Sequence, residues 1–409
     1  MSETIRKHAV WLVLLAAAGT FALTMGVRQT MGLFLADMNS STGLGIANIS
    51  LAFAFGQLWW GLTQPFAGAA ADRIGAGRVL LIGVSLVALG TILTPLMTTT
   101  IGLIFAIGVL AAGGAGMAGP AVLMAATTRL IPAEKRGMAT GIVNAGGSFG
   151  QFLMAPIAAG LTAMSGWMTS MQILGFILLL ALPAAWVLKG NSNVVPGAAN
   201  SAPATPREGT GAAIKRAVND RSYVLLGIGF FVCGFHVAFL GTHLPNVVAM
   251  CGLPPSISAW SLAILGLFNI VGSLLMGWAV GRWRMKSLLS LVYAARAVGV
   301  MVFLASPKTA TVMLIFAAFM GLTFLSTVPP TAGLVAKFFG PANMATLFGI
   351  VMLSHQVGGF LGAWLGGKVF TMTGSYDTIW MIDIALAIGA ALIHMPIKEA
   401  PVALKLKPA

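Results

Sequence analysis

Apolar stretches of about 20 residues or more dominate this sequence, and each is long enough to cross a bilayer as a helix. Twelve such stretches are predicted, at residues 9–37, 46–71, 77–97, 101–127, 137–163, 168–188, 222–248, 258–281, 287–305, 311–336, 345–370 and 378–396. The chain is 58% hydrophobic and only 8% charged, whereas soluble domains are about 25% charged. The sequence therefore predicts an all-α polytopic membrane protein with 12 transmembrane helices.

The net charge of +14 is distributed unevenly between the predicted loops. With these helices, 19 of the 23 basic residues lie on one side of the membrane, Lys308 and Lys368 on the other, and Arg28 and Arg296 within it. The positive-inside rule then predicts cytoplasmic N- and C-termini. The basic balance thus indicates topology, with the lipid bilayer as a partner and no nucleic acid. The compact loops suit a bacterial inner membrane.

Several site classes find no support in the sequence. Cys233 and Cys251 lack metal-ligand spacing, so free thiols are expected, with no metal and no cofactor. No Walker A, HExxH or nucleophile-elbow motif occurs, which argues against an ATP-driven pump or an enzyme. Glycine-rich stretches in helices 4 and 5, including Gly146-Gly147-x-x-Gly150, instead indicate close helix packing through small residues.

The chain has the signs of a duplication. A stretch rich in Gly, Ala, Pro, Ser and Asn predicts a cytoplasmic linker at 190–220 between halves 1–189 and 221–409. Met138-Ala-Thr-Gly-Ile-Val recurs as Met344-Ala-Thr followed by Gly349-Ile-Val, and Gly68-x-x-x-Asp72-Arg73 recurs as Gly277-x-x-x-Gly281-Arg282. These correspondences share offsets of about 206 to 209 residues, which indicates two six-helix repeats.

Twelve helices in two halves, a central linker and Gly68-Ala-Ala-Ala-Asp72-Arg73-Ile-Gly75-Ala-Gly77-Arg78 together resemble the major facilitator superfamily. The sequence departs from the family pattern at Gly77 and, in the second copy, at Gly281. The resemblance implies alternating access between two pseudo-symmetric halves, with a substrate site near the midplane. It also implies gating roles for Asp72, Arg73 and Arg78, although Arg78 fits an ordinary loop charge equally well.

Arg28 is the most constrained candidate for substrate binding. A charge inside the membrane is costly and usually faces a cavity or an anionic partner. An offset of 208 maps Arg28 onto His236 of helix 7, so the two are predicted to face each other across the substrate path. Arg28 would bind a carboxylate and His236 would take up a proton. A structural ion pair between Arg28 and Asp37 is the alternative.

Further candidates lie on helices that the family resemblance makes cavity-lining. Asn144 and Gln151 of helix 5, Asn269 of helix 8 and His355 of helix 11 are predicted to contact substrate, and His355 is a second candidate for proton coupling. Either histidine could instead be hydrogen-bonded structure. Arg296 could compete for the anion, but a structural ion pair of Arg296 with Asp383 is preferred.

Within the superfamily, Leu267-Phe268-Asn269-Ile-Val-Gly-Ser273 is similar to the helix 8 element of the monocarboxylate porters and their bacterial relatives, with Ser273 replacing the usual arginine. The resulting prediction is a monomeric secondary transporter that takes up a small organic anion together with a proton. The alternative is an exporter or importer of a neutral or bulkier molecule such as a drug, metabolite or vitamin. A membrane sensor without transport is the third interpretation.

Overall fold

The computed structural model describes residues 3–130, 136–188, 210–340 and 344–402, and within these ranges the regular structure is helical with no strand. The membrane helices of the first half are α1 (Val10–Thr42), α2 (Ile46–Ile74), α3 (Ala76–Leu96), α4 (Thr100–Met124), α5 (136–165) and α6 (167–187). Those of the second half are α7 (Arg221–Met250), α8 (Pro255–Val280), α9 (Met285–Ala305), α10 (Ala310–Phe339), α11 (Met344–Thr373) and α12 (Asp377–His394). The all-α fold of 12 membrane helices is thus confirmed.

Two details separate this count from a count by apolarity alone. By length and composition, 10 helices of the described chain could cross a membrane. One of them, Ala139–Val187, contains Gly166 with φ 77°, a left-handed conformation that breaks the helix and separates α5 from α6. Helix α2 is not among these ten. It has 29 residues, but Gln57 and Gln64 lower its mean hydropathy.

The predicted linker falls mostly outside the described residues, because 189–209 are not among them. A short helix, Thr210–Val218, precedes α7 and is held by Arg216, which donates a hydrogen bond to the carbonyl oxygen of Val402 (2.8 Å). The boundaries of the two halves therefore stay a prediction.

Glycines bring the innermost helices together in the same way in each half. In the first half, a Cβ on Gly26 of α1 would lie 2.6 Å from the carbonyl oxygen of Gly150 of α5. In the second half, a Cβ on Gly234 of α7 or on Gly358 of α11 would overlap a backbone carbonyl of the other helix. Both pairs are related by an offset of 208. The predicted small-residue packing is confirmed, and it fixes the depth of Arg28, two residues after Gly26.

The two halves pack against each other at the end of the bundle away from the start of α1 and the end of α12, here called the opposite end. At Gly32 of α1 a Cβ would overlap the carbonyl oxygen of Gly241 of α7, and Gly367 of α11 is equally close to Ser50 of α2. Leu33 of α1 packs on the apolar cores of both halves. The contacts described between the halves reach from this end to the middle of the helices.

Helix α10 is interrupted just before two consecutive prolines. Its first arm ends at Thr323, its second begins at Val328, and Pro329 and Pro330 follow in the first turn of the second arm. Proline supplies no N–H and cannot continue a helix from the preceding turn. The carbonyl groups at residues 323 and 324 are therefore free to accept hydrogen bonds from side chains.

Candidate functional site

Arg28 lies at the middle of the bundle, where α1, α2 and α11 converge. Its guanidinium donates a hydrogen bond from Nη2 to Oε1 of Gln57 and lies 4.8 Å above the ring of Trp60. Gln57 in turn approaches Gly359 of α11, where an added Cβ would lie 3.6 Å from the Gln57 Cβ. Among the described residues, no carboxylate forms a salt bridge with Arg28, and the alternative pair with Asp37 is not formed.

Two polar groups without partners lie on the helices around this arginine. The indole Nε1 of Trp60 and the amide Nε2 of Gln356 on α11 are both buried without a hydrogen-bond partner. Gln356 packs against α2, because a Cβ on Gly61 would overlap the Gln356 side chain. A buried donor without a partner costs about 1–3 kcal/mol. The site thus presents one fixed positive charge and at least two unused donors.

A second polar group lies where α5 meets α8. Asn269 of α8 donates from Nδ2 to the Ser148 hydroxyl of α5 (2.8 Å) and accepts at Oδ1 from the backbone N–H of Leu325 (3.0 Å). Gln151, one turn after Ser148, is 1% exposed, and neither its amide oxygen nor its amide nitrogen has a partner. Asn269 therefore links the halves, and Gln151 holds unused hydrogen-bonding capacity beside that link.

His236 has different neighbours from those expected. Its Nδ1 lies 3.4 Å from Nη1 of Arg296, and its Nε2 lies 3.2 Å from both the backbone oxygen and Oδ1 of Asp383. The guanidinium of Arg28 is occupied with α2 instead. The repeat places Arg28 and His236 at equivalent positions of the two halves. The side chain of His236 nevertheless lies against α9 and α12 of its own half and not across the bundle from Arg28. The predicted pairing of Arg28 with His236 across a path is thereby corrected.

The predicted Arg296–Asp383 pair takes an indirect form, with no direct salt bridge between these two described residues. Both are 1% exposed, and the His236 ring lies between them. Arg296 also donates from Nη2 to the carbonyl oxygens of Thr323 and Phe324 at the α10 break, the latter at 2.6 Å. The cluster thus joins α7, α9 and α12 to the interruption in α10.

Of the remaining predicted residues, one is buried in the second half and the others with described side chains are exposed. His355 is 8% exposed, neither ring nitrogen has a hydrogen-bond partner, and its ring lies 4.9 Å from that of Phe230. Asn144 is exposed on α5. Arg73 and Arg78 are exposed on either side of Gly75, whose φ of 92° makes the turn between α2 and α3. The side chain of Asp72 lies outside the described set. The gating roles stay predictions.

The comparisons with known proteins agree with this architecture. The chain matches the Major Facilitator Superfamily over residues 16–363, and again over 226–408. It belongs to this superfamily. As a member it is a membrane transporter and not an enzyme, and the resemblance predicted from the helix count and the loop after α2 is confirmed.

Individual relatives are distant and cover nearly the full length. The chain is 24% identical over 397 residues to the uncharacterized MFS-type transporter YcxA of Bacillus subtilis, covering 94% of each. It is 24% identical over 392 residues to monocarboxylate transporter 13 of Rattus norvegicus, covering 94% of this chain and 89% of the relative. A crystal structure of a variant of the nucleoside transporter NupG superposes with a TM-score of 0.76 at 16% identity, over 95% of this chain and 99% of that one.

Two residues near the site were not predicted to belong to it: Gln356, and Cys233, which was expected only as a free thiol. Gln356 stands beside His355, and its unused amide nitrogen becomes visible only when α11 is packed on Gly61 of α2. Cys233 lies one turn from His236, with its Sγ 3.0 Å from the Thr327 hydroxyl and 3.7 Å from Nη2 of Arg296. The signal for Cys233 was its i, i+3 spacing from the histidine, which places both on one helix face.

Proposed function

We propose that the chain takes up a small organic anion, of the monocarboxylate type, together with a proton. The observation that carries the proposal is Arg28, a charged group at the middle of the bundle with no carboxylate partner among the described residues. A guanidinium binds a carboxylate through two parallel hydrogen bonds. An anionic substrate would supply the missing counter-charge, and Trp60 Nε1 and Gln356 Nε2 offer further donors.

Neutralisation of the Arg28 charge by the substrate would link binding at the site to rearrangement of the two halves. When the halves rearrange around an empty site, Arg28 stays desolvated and uncompensated, which is costly in a medium of low dielectric constant. A bound carboxylate neutralises the charge, so the loaded carrier reorients at a lower cost. The resemblance to a monocarboxylate transporter supports the same substrate class.

Proton coupling follows from the membrane potential. Moving one negative charge inward against a potential of 100 mV, negative inside, costs about 2.3 kcal/mol. A proton carried with each anion removes this cost and adds the pH gradient as a driving force. Gln151 and His355 have unsatisfied polar atoms and are proposed as further substrate contacts, whereas the exposed side chain of Asn144 is given no such role.

A neutral or bulkier solute is the second candidate. It is favoured by α8, where Ser273 stands in place of an arginine and its hydroxyl lies 3.5 Å from Asn269 Oδ1, so this helix brings no positive charge to the middle of the bundle. In that case Arg28 would serve to hold α2 against α1 through Gln57 and Trp60.

Uptake into proteoliposomes distinguishes these candidates. Radiolabelled lactate, pyruvate and acetate, together with neutral sugars and nucleosides, would be offered with and without an acidic exterior. Arg28→Gln removes charge-assisted hydrogen bonds of about 1.5–3 kcal/mol, so the half-saturating carboxylate concentration should rise roughly 10- to 150-fold. Arg28→Lys keeps the charge without the planar fork, so its half-saturating carboxylate concentration should lie between those of the wild type and Arg28→Gln.

The matched control is Arg282→Gln. Arg282 is exposed, and its guanidinium lies 4.0 Å above the ring of Trp278, so its loss should leave uptake unchanged. If Arg28→Gln takes up carboxylates with the half-saturation of the wild type, the anion site is elsewhere. Uptake of a neutral compound and of no carboxylate would favour the second candidate.

A further inference from the structure

The buried cluster of Arg296, His236 and Asp383 lies within the second half, and none of the hydrogen bonds or ion pairs described for these three residues reaches a residue of the first half. All three residues are 1% exposed. An ionised pair held so far from water is costly unless its members are well compensated. Yet Nε of Arg296 and Oδ1 of Asp383 have no hydrogen-bond partner, so the cluster is less well compensated than a purely structural pair requires.

The geometry fixes the protonation state of His236. A guanidinium only donates hydrogen bonds, so Nδ1 of His236, 3.4 Å from Nη1 of Arg296, must be the unprotonated acceptor. The ring proton is then on Nε2, directed at the backbone oxygen of Asp383 and 3.2 Å from Oδ1. A second proton on Nδ1 would face the positive guanidinium. His236 is therefore held neutral, and the group of this cluster that can accept a proton is the Asp383 carboxylate.

In the described part of the chain, four other titratable side chains lie around the cluster. The Cys233 thiol contacts the Thr327 hydroxyl and accepts a hydrogen bond from Nη2 of Arg296 (3.7 Å), and the Tyr293 hydroxyl donates to the carbonyl oxygen of Gly229 (2.7 Å). His394 of α12 stacks on Tyr293 and bonds through Nδ1 to the backbone oxygen of Ala390. His355 of α11 packs on the ring of Phe230. Among the described residues, Asp383 is thus the carboxylic acid in contact with the His236–Arg296 pair, and the Cys233 thiol is the other acidic group beside Arg296.

A continuous series of hydrogen bonds runs from this cluster to the other half. Arg296 binds the carbonyl oxygens of Thr323 and Phe324 at the α10 break. The next residue, Leu325, donates its backbone N–H to Asn269, and Asn269 donates to Ser148 of α5. Arg296 and Asn269 therefore hold adjacent residues of the same non-helical segment from two directions.

We propose that Asp383 is the proton-binding group of this transporter, and that its protonation is transmitted through His236, Arg296 and the α10 break to the α5–α8 contact. The inference rests on the proposed function, in which a proton accompanies the substrate. A proton from water forms an O–H bond with a carboxylate oxygen of Asp383, and it is released to water when that O–H bond breaks. With Asp383 neutral, the positive charge of Arg296 no longer has a carboxylate nearby, and its closest acceptors are the α10 carbonyl oxygens. A shift of Arg296 towards these oxygens moves Leu325 relative to Asn269.

Proton binding can be tested without any substrate. Infrared difference spectra of the reconstituted protein between acidic and alkaline pH detect the carbonyl stretch of a protonated carboxyl group. Asp383→Asn should lose a titrating band that Asp377→Asn keeps. Asp377 is the matched control, because it is an exposed aspartate on the same helix. Asp383→Glu retains a carboxyl group and should retain a titrating band.

Transport separates coupling from structure. For one proton per anion, a gradient of one pH unit supports up to about tenfold accumulation of labelled lactate. Asp383→Asn should reduce accumulation to about onefold while still exchanging internal for external lactate, a reaction that needs no net proton movement. Ser148→Ala should keep the titrating band but lower accumulation, because it cuts the connection at the α5–α8 contact.

The results decide between separate failures. A titrating band that persists in Asp383→Asn, or gradient-driven accumulation that persists in it, overturns the inference. Full accumulation in Ser148→Ala overturns the transmission route. If Asp383→Asn does not fold, as judged by size-exclusion chromatography, an absent titrating band in Asp383→Glu overturns the assignment. A wild type that moves no carboxylate refutes the proposed function, while the infrared result still decides on Asp383.

Discussion

Substituting Gly26 by alanine tests the packing that positions Arg28. A Cβ at residue 26 would lie 2.6 Å from the oxygen and 2.7 Å from the carbonyl carbon of Gly150, about 0.8 Å inside the 3.4 Å at which ordinary contacts begin. Both of these atoms belong to the backbone of α5 and cannot rotate away. The two helices must therefore separate, and overpacking of this kind costs about 1–3 kcal/mol.

The control is Gly19→Ala on the same helix, where a Cβ would meet nothing within 4 Å. Alanine in a helix interior is more favourable than glycine by roughly 0.5–1 kcal/mol, a gain common to both variants. The difference between them thus isolates the packing cost of about 1–3 kcal/mol, with Gly19→Ala the more stable.

Thermal unfolding in one detergent at one scan rate measures this difference, and the midpoint of Gly26→Ala should lie a few degrees below that of Gly19→Ala. Because Arg28 follows two residues later, movement of α1 should also displace the guanidinium from Gln57 and lower carboxylate uptake. An equal or higher midpoint for Gly26→Ala would show that α1 and α5 are not in backbone contact and that Gly26 does not set the depth of Arg28.

Three further outcomes are expected. Gly32→Ala should hinder closure of the opposite end, because its Cβ would overlap the Gly241 carbonyl oxygen. A cost of about 1–3 kcal/mol corresponds to roughly a 5- to 150-fold shift from the closed towards the open state of this end. Faster thiol labelling of a cysteine introduced at Ser50 would report this shift. In the second half, Gly358→Ala should be less stable than Gly349→Ala, since only Gly358 is in contact with the facing helix, and equal midpoints would contradict the repeat of the packing. N-ethylmaleimide should label Cys251, which is partly exposed, and leave buried Cys233 unreacted. Burial raises the pKa of the Cys251 thiol, an effect that the charge of Lys308 partly offsets, so its thiolate fraction and labelling rate should rise with pH above neutrality; labelling that persists in Cys251→Ser would contradict the assignment.

The helices were predictable because a bilayer leaves the chain few alternatives. Backbone groups in hydrocarbon must bond within the segment, so length and apolarity place the crossings. The exceptions are local: Gln57 and Gln64 lower the apolarity of α2, and Gly166 separates α5 and α6 by its backbone conformation. Small-residue spacing in α5 predicted close packing, although the partner helix α1 came from the structure.

Side-chain partners were less predictable. The offset of 208 maps Gly26 onto Gly234, and each of these glycines is in close contact with the equivalent helix of its own half, α5 or α11. The offset succeeds here because backbone contact depends only on helix position. It could not give the neighbours of Arg28 and His236, which depend on what each half places around equivalent positions. Arg28 meets Gln57 and Trp60, whereas His236 meets Arg296 and Asp383.

The sequence by itself therefore determined the membrane helices, the superfamily and the presence of costly charges inside the bilayer, because these follow from apolarity, from a loop motif and from residue identity. Only the tertiary structure decided which of those charges are compensated. Each residue along a helix turns the side chain by about 100°, so the partner of a buried charge depends on how neighbouring helices are rotated and how deep they lie. That arrangement left Arg28 without a counter-ion among the described residues and enclosed Asp383 with His236 and Arg296.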